Sequence, residues 1–317
     1  DLFEEESEKA AFDAFLPGIK ATFEGAKENT FITAILKLND SNFKIQILTN
    51  GEDLPGVYTT YGKASPLRFT QLHPQSTRVY LSARLNDETR AYMKESLAPA
   101  IASGTGTEDD AAAQTLTMAN QVIDMVGEEL TIAVLGKDGG LPGVVLMIAL
   151  NNAEISQGLI QMLVPSSEDE SMSFGDTPVA INSVMLPEFP FPLSIAYPKD
   201  TVVASTDKEA LKSIITHIMN GDEGEFLKSR TPPIDCTLPT YNSFYIDTKL
   251  VSELTMLAAM FGGPQAAESL EQANSILPVL REIRSQKVIE GDWIISEVDV
   301  ILNPDAPEKT SAEESTE

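Results

Sequence analysis

The clearest pattern along the chain is the stripe Leu211, Ile214, Ile215, Ile218, spaced i, i+3, i+4, i+7. It predicts an amphipathic helix. Thr206 with Glu209 forms a capping box ahead of it, and Asn220-Gly221 stops it. Phe12, Phe15, Ile19 and Phe23 predict a second such helix, kinked by Pro17-Gly18. Further helices are expected from Asn86 to about Ala102, from Thr107 to Val126 with Gly127 as its C-cap, and from Ile155 to Leu163. In the helix begun at Thr107, Leu116, Val122, Ile123 and Val126 share the buried stripe. Two more helices are expected at about 250–261 and 265–286, the second kinked at Pro278.

Strand signals are as frequent. Residues 30–38 and 43–49 read as a hairpin turned at Asn39-Asp40-Ser41-Asn42. Leu130 to Leu135, Val144 to Leu150, Val179 to Leu186, Leu193 to Tyr197 and Thr201 to Ser205 read as further strands. In the last one, Asp292 to Leu302, Ile294, Val298, Val300 and Leu302 face one way, and Glu297 and Asp299 face a wet side.

Val79-Tyr80-Leu81-Ser82-Ala83-Arg84-Leu85 has a counterpart 165 positions later, Phe244-Tyr245-Ile246-Asp247-Thr248-Lys249-Leu250. Pro74 and Pro239 precede the two segments at the same offset. This reads as one α/β unit used twice. The expected fold class is α+β, with two related halves, each a curved antiparallel sheet with helices packed on one face. The expected segments are an acidic lead (1–8), a helix with hairpin and linker (9–71), a first repeat unit (72–221), a linker (222–238), a second repeat unit (239–302) and a disordered acidic tail (303–317).

Composition narrows the partners. Of the 317 residues 42% are hydrophobic, enough for a core, and no apolar run reaches the ~18 residues of a membrane helix. The net charge of −26 repels phosphate backbones and anionic lipid surfaces, so nucleic acid is not an expected partner. Cys236 stands alone beside Asp235, which disfavours a thiolate, and reads as structural.

The catalytic inventory is thin. His73 and His217 are the two histidines; neither has the neighbours a metal site needs, and both read as solvated or core-edge residues. No nucleophile elbow, P-loop, zinc-protease or dinucleotide motif occurs. The acidic stretches Ser166–Ser171 and Asp222–Glu225 read as solvated loops without calcium-loop spacing. Trp293 reads as core. No cofactor and no metal are expected. Residues expected to touch a ligand or partner are Phe189 and Phe191, presented by the extended Pro187–Pro192 segment, together with Tyr80 and Tyr245.

The string Pro74…Val79-Tyr80-Leu81…Leu85, and the strand-then-capped-helix Thr201–Asp207 with Ala210-Leu211, resemble a large uncharacterised family of bacterial exported or lipoprotein-type proteins. The likeness covers residues 74–302; residues 9–50 have no clear place in it. It implies a periplasmic or cell-surface location, with any signal segment outside these 317 residues, and a non-enzymatic role. The expectation is therefore an exported binding or interaction protein, its partner a protein or an apolar small molecule. The alternatives are a carrier of an apolar or lipid ligand in a groove between sheet and helices, and a hydrolase using paired Asp/Glu.

Overall fold

Strand pairing dominates the described part of the chain. The computed structural model describes residues 30–39, 42–51, 66–85, 87–92, 94–95, 109–137, 142–163, 167–185, 192–224, 226–231, 234, 240–250, 279–290 and 293–304. Within them lie twelve strands: β1 (Thr30–Asn39), β2 (Asn42–Gly51), β3 (Thr77–Arg84), β4 (Val126–Leu135), β5 (Gly143–Leu150), β6 (Ser167–Phe174), β7 (Thr177–Val184), β8 (Leu193–Ala196), β9 (Thr201–Ser205), β10 (Thr240–Asp247), β11 (Leu280–Glu290) and β12 (Trp293–Leu302). The helices are α1 (Asp87–Tyr92), α2 (Asp109–Met125), α3 (Ala153–Leu163) and α4 (Lys208–Asn220), with a 3-10 turn at Phe69–Leu72. The strand order is β1-β2-β12-β11-β10-β3-β4-β5-β9-β8-β7-β6, an open antiparallel sheet. The coarser expectation, an antiparallel sheet with helices, is met; among the described residues the strands form one twelve-stranded sheet and outnumber the helices.

The chain divides into two compact units. The first takes its described residues from within 1–53, 245–285 and 293–317. Here β1 pairs with β2 from Thr30↔Gly51 to Asn39↔Asn42, as the hairpin pattern predicts. β12 pairs with the other side of β2. Phe43, Ile45, Leu280 and Val300 form a core cluster in it. The opposite side of the β2–β12 pair is polar yet not wet. Asp299 is 8% exposed and accepts from Asn42 Nδ2 at 2.7 Å; Glu297 accepts from Lys44 Nζ at 2.8 Å and Gln46 Nε2 at 2.6 Å. The expected wet face of β12 is therefore corrected: pairing with β2 gives these acids internal partners, which is what lets Asp299 be buried and Glu297 half-buried.

The second unit takes its described residues from within 54–244 and 286–292. The helix with the strongest sequence signal, α4, is found as expected, with Leu211, Ile214 and Ile215 fully buried. Burying each of these side chains stabilises by about 1.5–3 kcal/mol. Its N-cap is Asp207 rather than Thr206. The Asp207 carboxylate accepts from Glu209 N and Ala210 N, while Thr206 Oγ1 accepts from Val144 N. Gly221, at φ 76°, closes the helix in the left-handed region that glycine enters without cost. Leu150, Val184, Ile195, Val202 and Ala204 form a further cluster on β5, β7, β8 and β9.

Several expectations are corrected. Ser166–Ser171, read as a loop, runs into edge strand β6, where Glu170 pairs with Lys208 and Lys212. The Lys212 hydrogen bond, then that of Lys208, holds the Glu170 carboxyl below its usual range. Acidic residues on an edge strand also guard it against further pairing. Residues 280–286, read as the end of a helix, begin β11. Val122, placed on a buried stripe, is 40% exposed, as is Trp293 at 36%. Outside the described residues lie the helix of Phe12, Phe15, Ile19 and Phe23, the Phe189 and Phe191 segment, Cys236, all of the helix expected at about 250–261 beyond Leu250, residues 265–278 and the tail beyond 304.

Candidate functional site

The organising irregularity of the second unit is a bulge at the start of β4. Val126 pairs with Leu150 of β5, and Leu130 pairs with Ile148. Gly127, Glu128 and Glu129 therefore lie opposite the single residue Ala149. Bulges bend a strand, re-aim its side chains and gather near functional sites. Gly127 was expected to cap α2. It is instead a strand residue whose missing side chain is required: a Cβ there would lie 2.9 Å from the carbonyl carbon and Cβ of Ala149.

A bulge frees backbone carbonyls, and each needs a partner. Arg90 of α1 donates from Nε to Val126 O at 3.1 Å and from Nη2 to Gly127 O at 2.8 Å. Asn151 Nδ2 also donates to Val126 O, at 3.0 Å, and to Asp124 O at 2.9 Å. Leu85 N donates to Glu128 O at 2.7 Å. Two side chains, Arg90 and Asn151, and the Leu85 backbone N–H thus hold the distorted backbone in one shape.

The bulge points its two acids differently. Glu129, opposite Arg84 of β3, turns inward and is 6% exposed. Its Oε1 accepts from Phe69 N at 2.7 Å and its Oε2 from Arg68 N at 2.9 Å, satisfying the open N–H groups of the 3-10 turn. Burial raises its pKa; the hydrogen bonds from Phe69 and Arg68 and the charges of Arg68 and Arg84 oppose that rise. Glu128 turns outward. Its side chain is 77% exposed, and its Oε2 lies 3.2 Å from Nη1 of Arg84, whose own side chain is only 10% exposed. Arg84 Nη2 also lies 3.4 Å from Pro66 O.

These residues line a cleft of about 280 Å³ together with Pro66, Arg68, Asp200 and Asn151. Arg68 Nη1 lies 3.1 Å from both carboxylate oxygens of Asp200, and Nη2 donates to Thr201 Oγ1 at 3.1 Å. The cleft offers two guanidinium groups, exposed carboxylates and an amide around a small volume. Chemically it suits a small polar molecule. Its buried acid, Glu129, already spends both oxygens on backbone N–H groups, which makes it a brace for the Arg68–Phe69 backbone.

The residues singled out from sequence lie elsewhere. Tyr80 and Tyr245 are 1% and 0% exposed, so both rings face the interior. Phe189 and Phe191 are outside the described residues. His73, expected at an edge, is fully buried. It stacks on Tyr80 at 4.6 Å between ring centroids and meets the edge of Phe226 at 6.1 Å. Its Nε2 lies 3.4 Å from Thr131 Oγ1, and desolvation lowers its pKa from 6.5 to about 3. A neutral imidazole held this way is a core ring. His217 is half-buried in the last turn of α4, in keeping with an edge position. Among the described residues no group of three or more His, Cys, Asp or Glu is placed to hold a metal ion. No described helix is long and apolar enough to cross a membrane.

No protein-family model, curated protein or solved structure matches the chain.

Proposed function

We propose that this is an exported, extracytoplasmic binding protein without catalytic activity, and that the bulge-built cleft of its second unit is a ligand site. The observation that carries this reading is the bulge itself. Three residues of β4 are set against one of β5, the carbonyls of Val126, Gly127 and Glu128 are tied down by Arg90, Asn151 and the backbone N–H of Leu85, and the result is a fixed cleft rather than a filled strand end. Preformed concave sites with a few placed polar groups are where small molecules bind. The polar lining favours a polar ligand over the apolar one expected from sequence. Commitment of Glu129 to backbone N–H groups leaves the paired-carboxylate hydrolase the weaker alternative. The extracytoplasmic location rests on the family resemblance.

The same reading takes the fold as a duplication. Strands β3 and β10 carry the repeated segments, and at the repeat's own spacing Tyr80 and Tyr245 are both buried strand residues flanked by less buried neighbours. The duplication supplies a scaffold, and the bulge adds the site to one copy.

Native mass spectrometry of protein purified from its own host, followed by denaturing extraction, tests the binding role. A retained polar small molecule is the expected result. A clean mass together with turnover in a broad hydrolase screen overturns it.

A further inference from the structure

The ion pair at the cleft wall is unequal, and the inequality says what the cleft takes. Arg84 is a wall residue with a side chain 10% exposed, fixed beside the Pro66 carbonyl. Its partner Glu128 is 77% exposed and sits on the bulge. A guanidinium fixed in this way loses little further freedom when it binds a carboxylate, and its planar fork matches one. A carboxylate that is mostly in water gives up little when it leaves, because exposed ion pairs contribute little. Resting on the binding reading above, we infer that the ligand is a small carboxylate whose carboxyl group displaces Glu128 from Arg84. Glu128 is then a built-in competitor that holds the place of the ligand in its absence. Asp200 and Asn151, which also line the cleft, take the polar remainder of the molecule. At about 280 Å³ the cleft admits a molecule of amino-acid size, at the low end of ligand sites.

Isothermal titration of the full chain with succinate, L-glutamine, succinamide and putrescine tests this. Succinate or L-glutamine is expected to bind, and succinamide and putrescine are not. Glu128→Gln removes the competitor and is expected to tighten carboxylate binding by about 2–5-fold, the factor that corresponds to an exposed ion pair. Arg84→Met is expected to weaken it by at least about tenfold, as loss of a charge-assisted hydrogen bond does. Glu128 is exposed, so its variant folds and the tightening can be read even if Arg84→Met does not fold. Failure of both carboxylates to bind, or unchanged affinity in Glu128→Gln, overturns the inference. Binding of succinamide or putrescine instead overturns the carboxylate class while leaving a binding protein. Silence from all four, with a clean native mass, removes both.

Discussion

The Tyr80 phenol and the Ser243 hydroxyl lie 2.9 Å apart in the interior, one on each of the strands that carry the sequence repeat. Tyr80 is 1% exposed and Ser243 6% exposed, so neither can turn to water if the other is lost. Tyr80→Phe is expected to cost about 0.5–1.5 kcal/mol of unfolding free energy, and Tyr80→Ala about 3–5 kcal/mol through the cavity it leaves. A double-mutant cycle with Ser243→Ala, followed by denaturant unfolding, should return a coupling of about 1 kcal/mol. Additive single effects would mean that the two hydroxyls are satisfied elsewhere.

Burial of His73 predicts a specific acid sensitivity. Its folded pKa, about 3, lies below the unfolded value of 6.5. The unfolded chain therefore takes up a proton that the folded chain refuses. The stability tied to neutral His73 is complete above pH 6.5 and drains away as the pH falls toward 3. Between pH 7 and pH 5 this amounts to about 2 kcal/mol. His73→Phe keeps a ring between Tyr80 and Phe226 and removes the titration. Its unfolding free energy should fall less over that interval than that of the wild type, by about that amount. Equal slopes would show that His73 is accessible to protons in the folded state.

Arg90 is a positioning residue for the bulge. It donates to two of the carbonyls that the bulge sets free, at Val126 and Gly127. Arg90→Ala should cost about 1.5–3 kcal/mol, the range for hydrogen bonds from a charged donor. It should also speed amide exchange in residues 126–130 and leave α4 protected. Uniform loss of protection would assign it a general role in stability.

Gly127→Ala tests the same geometry from the opposite side. The added methyl meets the backbone of Ala149 at 2.9 Å, where no flexible side chain can yield. Overpacking of this kind costs about 1–3 kcal/mol. A variant as stable as the wild type in thermal unfolding would mean that β4 and β5 separate easily at the bulge.

What could be read from the sequence follows from how local each signal is. The α4 stripe and Gly221 act within a few residues, and both appear where the pattern places them. The β1–β2 hairpin was legible for the same reason. Glu209 suggested Thr206 as the cap, but Thr206 is occupied by Val144 N, a tertiary contact that no local pattern contains. The site lay further from view. Gly127 follows a helical pattern directly, and a glycine there looks like a C-cap. Its function as a strand glycine depends on Ala149, some twenty residues away. The available hint was the Gly127-Glu128-Glu129 run opening an apolar strand, since an isolated glycine in a strand marks a bulge or a close backbone approach. The inward turn of Glu129 onto Arg68 and Phe69 spans about sixty residues and is invisible to periodicity.

The most direct test of the central claim is hydrogen–deuterium exchange of the full chain with and without the small-molecule fraction of its host's lysate. The account predicts slower exchange in residues 66–69, 84–85 and 126–130, which border the cleft, with the effect lost in Arg84→Met. Protection confined to other segments, or no change anywhere, would contradict a ligand site at the bulge.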